Sequence, residues 1–97
     1  MAVRLTVDFQ RARQRIEKLG DYPPTTRQRA LATYVGLFDL ADENGVIAVP
    51  STQIASEFAI SRMSWTQFRE VLEGAGLLKV ERSRGGALRR MQLLPPD

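Results

Sequence analysis

Between Pro50 and Leu78 the apolar positions form two short runs with helical spacing, and the rest of the chain reads as an arrangement around them. Ile54, Ala55 and Phe58 recur at i, i+1 and i+4, one stripe on a short helix for which Ser51 or Thr52 is the predicted N-cap. Ser61 is the predicted N-cap of the next helix, whose Trp65, Phe68, Val71 and Leu72 repeat until Gly74 and Gly76 end it. Only Ala59 and Ile60 stand between the two runs, so the helices must meet at a sharp corner. Such helices share a core by crossing steeply, which leaves the outer face of the second one projecting. A wheel centred on Trp65, Phe68 and Leu72 puts Met63, Thr66, Gln67 and Glu70 on that outer face, with Arg62 and Ser64 in the first turn. Trp65 reads as core rather than as a stacking platform.

Upstream, Val3, Leu5 and Val7 alternate with Arg4 and Thr6, the pattern of a short strand or extended arm. Asp8 then caps a predicted helix through about Leu19 with Phe9, Ala12, Ile16 and Leu19 on one face, and Gly20 closes it. After the rigid Asp21-Tyr22-Pro23-Pro24 connection, Thr25 or Thr26 caps a predicted helix through about Ala41, apolar on more than one face and so the expected scaffold. Val46 to Val49 reads as a short buried strand before Pro50. Downstream, Gly76 to Val80 starts a strand, Gly85-Gly86 turns it, and Ala87 to Leu94 returns, with Leu78 and Val80 on one face and Met91 and Leu93 facing inward. Pro95-Pro96-Asp97 stops that strand.

Composition narrows the chemistry. Ninety-seven residues with 43% hydrophobic content fit one domain with a modest core. The chain has no Cys and no His, which removes thiolate nucleophiles, Cys/His zinc sites and imidazole bases, and no cofactor is expected. Asp39, Asp42 and Glu43 could bind a cation, yet acids running into Asn44-Gly45 also describe a solvated turn. These absences argue against an enzyme. No apolar run is long enough to span a bilayer, and Met1-Ala2-Val3-Arg4 leads at once into polar residues, so the expectation is a cytoplasmic, nucleoid-associated protein without a membrane partner.

The net charge of +3 is unevenly spread. Residues 1–29 hold seven basic and three acidic side chains, residues 30–76 two and six, and residues 77–97 five and two. Positive charge therefore gathers in the N-terminal segment and the C-terminal hairpin, a distribution suited to a polyanion or simply to an Arg-rich solvated surface.

In particular residues the chain resembles the winged helix-turn-helix domains of bacterial DNA-binding proteins. Ala55 falls where these families want a small residue, Ile60-Ser61-Arg62 is similar to their turn into the recognition helix, and Leu72-Glu73-Gly74-Ala75-Gly76-Leu77-Leu78 is similar to their passage into the wing. Ala59 departs from the pattern, since a Gly is common at that turn. The resemblance spans roughly Thr25 to Leu94. It implies an α+β fold: a winged helix-turn-helix over residues 25–94, with a three-helix core, a C-terminal β-hairpin wing, an extra N-terminal helix within the 1–24 extension, and a 95–97 tail.

What the resemblance implies for function is double-stranded DNA binding, as a small sequence-specific transcriptional regulator or in plasmid or phage replication or partition. A recognition helix over about 62–73 would enter the major groove, where Arg62, Met63, Ser64, Thr66 and Gln67 are the candidate base-reading residues. The wing residues Arg82, Arg84, Arg89 and Arg90 would follow backbone or minor groove, and Arg11 and Arg15 are candidate backbone contacts from the N-terminal helix. Glu70 and Glu73 argue against deep insertion of the helix's second half. A module this small is expected to act as a homodimer. The alternative is a protein partner, with the winged helix docking to polymerase or another regulator; the acidic central segment and Met63 favour it.

Overall fold

The computed structural model describes residues 9–82, 85 and 88–95, with the backbone alone for Leu88 and Arg89. Among them, helices α1 (Phe9–Glu17), α2 (Pro24–Leu37), α3 (Ser51–Glu57) and α4 (Arg62–Gly74) combine with strands β1 (Val46–Ile47), β2 (Leu78–Arg82) and β3 (Leu88–Leu93). The three strands form one antiparallel sheet in the order β1-β3-β2, so the fold is a small α+β arrangement. The predicted strand at Val3 to Val7, the Asp8 cap and the hairpin tip at residues 83, 84, 86 and 87 lie outside the described residues.

Helix α2 is apolar on more than one side because it is covered on more than one side: it packs against both α1 and α4. Ala30, Thr33, Tyr34 and Leu37 are buried along it. The Tyr34 hydroxyl donates to the Leu94 carbonyl at 2.8 Å, tying the scaffold to the end of β3. Burial pushes the Tyr34 hydroxyl up to about 12, with the Arg15 guanidinium pulling the other way. Helix α1 is fastened by Ala12 and Ile16, both buried, while Phe9 stays 45% exposed and meets Phe38 edge-on at 6.4 Å. It ends at Glu17 instead of about Leu19, and Arg27 Nη1 donates to the Glu17 carbonyl at 2.8 Å, satisfying one of the acceptors a helix end leaves over.

Prolines, not hydroxyls, open two of the helices. Pro23, at ψ 152°, is the N-cap of α2 and Pro24 is its first residue, in place of the Thr25 or Thr26 cap. A proline at the first helical position has no N–H to satisfy, so no side-chain acceptor is required there. Before α3 it is the N-cap itself that is a proline, Pro50 at ψ 152°, with no side-chain cap bond, which makes Ser51 a helical residue instead of a cap.

Helix α2 stops at Leu37, short of Ala41. The next three N–H groups, of Phe38, Asp39 and Leu40, reach back three residues, to Val35, Gly36 and Leu37, which is the tighter 3₁₀ pattern. Phe38 and Leu40 still pack on the core. The Asp42 carboxylate accepts from the N–H groups of Asn44 and Val46, both at 2.9 Å, and so folds the turn into β1. Among the described residues no three potential metal ligands cluster.

Strand β1 is shorter than the expected 46–49 run, pairing only Val46 with Gln92 and Ile47 with Met91 before Ala48 and Val49 carry the chain to Pro50. The hairpin matches the alternation closely: Leu78 opposes Leu93 and Val80 opposes Met91 on the inner face. Its return strand runs from Leu88 to Leu93, and β3 carries one extra residue where Glu81 faces Arg90 but Arg82 faces Leu88. Among the described residues, no helix is long and apolar enough to cross a membrane.

Candidate nucleic-acid interface

Helix α4 begins where sequence spacing puts it. The Ser61 hydroxyl oxygen accepts from the Ser64 N–H at 3.0 Å, and its own O–H donates to Ser64 Oγ at 3.0 Å. Trp65, Phe68, Val71 and Leu72 are buried on the inner side, against α2 and α3. Ala55 of α3 is buried too, and its small size lets the two helices close on each other. The opposite side carries Arg62, Met63, Thr66, Gln67 and Glu70, all exposed, and Met63 is 80% exposed.

The corner ahead of α4 has an unexpected construction. Ala59 N–H donates to Ser56 O and Ile60 N–H to Ala55 O, the paired bonds of a Schellman ending, and Ala59 takes the left-handed position at φ 53°. An alanine thus adopts the backbone that glycine adopts with less strain. The far end of α4 closes in the same way, with Gly76 N–H on Glu73 O, Leu77 N–H on Leu72 O, and Gly76 at φ 73°.

The five candidates on α4 are brought together, but they offer different things. Arg62, Met63 and Gln67 project from the helix. Ser64 is half-buried and engaged with the Ser61 cap. Thr66 is exposed, with its hydroxyl donating to the Arg62 carbonyl at 3.0 Å. No acidic residue occupies the first turn, so the helix dipole and Arg62 leave that end electropositive.

The arginines separate into places that the linear charge pattern does not show. Arg82 is exposed at the end of β2. Arg90 is exposed on the outer face of the sheet, where its Nε donates to Glu81 at 2.7 Å, a surface pair that a phosphate would have to displace. Arg84 lies outside the described residues, and only the backbone of Arg89 is described. Arg15 is half-buried, and its Nη1 donates to the Ala75 carbonyl at 3.4 Å, beyond the C-terminal end of α4. Thirteen helical residues separate that end from Arg62, about 20 Å along the axis at 1.5 Å per residue. Arg11 is exposed one turn earlier in α1.

Sequence reading did not single out an open apolar trough of about 310 Å³ beside the Ala59 corner, lined by Ala32, Thr33, Gly36, Phe58, Ile60 and Phe68 with Arg29 at its rim. Its signal was present in Ala32 and Gly36, small residues on α2: Ala32 is exposed, and a Cβ at Gly36 would stand 2.9 Å from the Phe58 ring. Comparison with protein-family models, curated proteins and solved structures found no match to this chain, so its function has to be read from this geometry.

Proposed function

We propose that the chain is a winged helix-turn-helix protein that binds double-stranded DNA, reading sequence with the first two turns of α4 and holding the backbone with hairpin arginines. The observation that carries this reading is the contrast across α4: Trp65, Phe68, Val71 and Leu72 anchor one side, while Arg62, Met63, Thr66 and Gln67 stand exposed on the other with no burial to explain them as packing. A helix held this way is a rigid rod with a bare, electropositive leading end, which is what the major groove admits. Glu70 lies beyond the first two turns, so the leading end can enter before a carboxylate meets phosphate. Arg15, engaged by the Ala75 carbonyl at the trailing end, is assigned to support, and Arg11 stays a candidate backbone contact from the N-terminal helix. A small sequence-specific regulator acting as a dimer on a repeated site is the biological role this reading favours.

The test separates the two parts. Replacing Arg84, Arg89 and Arg90 with Ala should weaken binding to all duplexes alike and lower the slope of log affinity against log salt by about 0.9 for each phosphate no longer neutralised. Gln67→Ala should instead change which sequences are preferred, at about 1–3 kcal/mol for the base it reads. A hairpin variant that alters preference while keeping its affinity would refute the division of labour.

A second reading, docking to a protein, is favoured by one observation: the exposed Met63 and the apolar trough both lie next to the Ala59 corner. Salt-insensitive behaviour with no DNA binding would support it.

A further inference from the structure

Resting on the DNA-binding reading above, we infer that α4 reads thymine methyl groups, and that the target class is duplex DNA with A·T pairs under the first two turns of the helix. Three observations on one face carry this. Met63 is 80% exposed, the most exposed of the large hydrophobic side chains among the described residues. A thioether chain held in water gains nothing from burial, and the one apolar feature on the floor of the major groove is the C5-methyl of thymine. One turn on, Thr66 has committed its O–H to the Arg62 carbonyl at 3.0 Å, so it has no donor left for guanine or thymine oxygens. What it retains is its Cγ2 methyl and the hydroxyl lone pairs. Gln67 lies four residues after Met63 and therefore beside it on the helix surface, with both a donor and an acceptor on its amide. Adenine, with an acceptor at N7 and a donor at N6, is the base whose edge matches that amide. A face that couples two methyl-bearing side chains to one amide is matched chemically by adenine and the thymine methyls around it.

Ser64 does not compete for this role, since it is half-buried and carries no methyl group. Arg62 supplies charge at the margin, toward phosphate or a flanking guanine. Apolar contact from Met63 and Thr66 thus adds discrimination where the polar inventory of the helix is short.

The experiment compares two randomised duplex pools, one made with thymidine and one with deoxyuridine, which keeps every hydrogen-bonding group and removes only the C5-methyl. Each is bound at low and high salt by the wild-type chain and by Met63→Ala. Wild type is expected to favour the thymidine pool's selected sequences about four-fold for each methyl touched, the value of one buried methyl group. Met63→Ala should lose most of that preference, its thymidine-to-deoxyuridine affinity ratio falling toward one. Because Met63 is exposed, the variant should melt with the wild type, and this melt is the control for folding. Equal, salt-sensitive binding of both pools by the wild type would overturn the methyl inference and leave the DNA-binding reading standing. So would an undiminished preference in Met63→Ala. Absence of salt-sensitive binding to either pool would overturn both.

Discussion

The corner before α4 and the corner after it close with the same pair of backbone hydrogen bonds, yet one is built on alanine and the other on glycine. At Gly76 the residue is needed twice. Its φ of 73° lies where a side chain is strained, and a Cβ there would stand 3.1 Å from Arg15 Nη1, the group that donates to Ala75. At Ala59 only the backbone is demanding: φ is 53° and the side chain is exposed. The trailing end of α4 is therefore locked into the body by a guanidinium, a glycine and the start of β2. The leading end is joined by a strained alanine and the Ser61 cap, and the residues just past it are bare. One helix is thus anchored at its rear and presented at its front.

Substitutions can break or sharpen this contrast. Gly76→Ala should be the most damaging, destabilising by about 2 kcal/mol, because the left-handed strain of about 1–2 kcal/mol adds to displacement of Arg15; urea midpoints would read it. Tyr34→Phe acts near the same corner and should cost about 1 kcal/mol at neutral pH through loss of the bond to Leu94. It also carries a pH signature. Tyr34 is raised from 10.0 to about 12 in the folded chain, so the neutral phenol is favoured by folding. That stability is fully present below pH 10 and drains away as pH rises toward 12, and the phenylalanine variant should lack this part of the alkaline decline. Ala59→Gly should move the other way, gaining about 0.5–1 kcal/mol as relieved strain outweighs the added freedom of the unfolded chain. Arg62→Ala and Gln67→Ala should be smallest, within about 0.5 kcal/mol of wild type in thermal melts, since neither side chain is buried. A large drop in stability for either would mean that the leading face belongs to the core.

Much of the helical corner was legible from residues 50–78, because Trp65, Phe68 and Leu72 repeat at one period and Ser61 is a capping residue with few other uses. The hairpin was legible for a similar reason: alternation at Leu78, Val80, Met91 and Leu93 sets which face of each strand is dry. What sequence reading missed are cases where a local signal had a non-local owner. Thr25, Thr26, Ser51 and Thr52 look like caps until prolines at the N-cap positions, Pro23 and Pro50, place them inside the helices. Among the described arginines, several are taken up by acceptors within the fold. Arg15 goes to a carbonyl sixty positions away, Arg27 to Glu17, and Arg90 to Glu81 across the hairpin, since a guanidinium takes whichever acceptor folding brings near. The left-handed turn at Ala59 was visible only as a departure from the winged-helix pattern, because an alanine does not announce a positive φ.

The most direct measurement is fluorescence-anisotropy binding of the chain to a random duplex pool at two salt concentrations, with the bound fraction sequenced. Binding that weakens steeply with salt and enriches a motif is the expected result, and a motif repeated with two-fold symmetry would report a dimer. Failure to bind at low salt would contradict the account, and the exposed front of α4 would then belong to a protein partner.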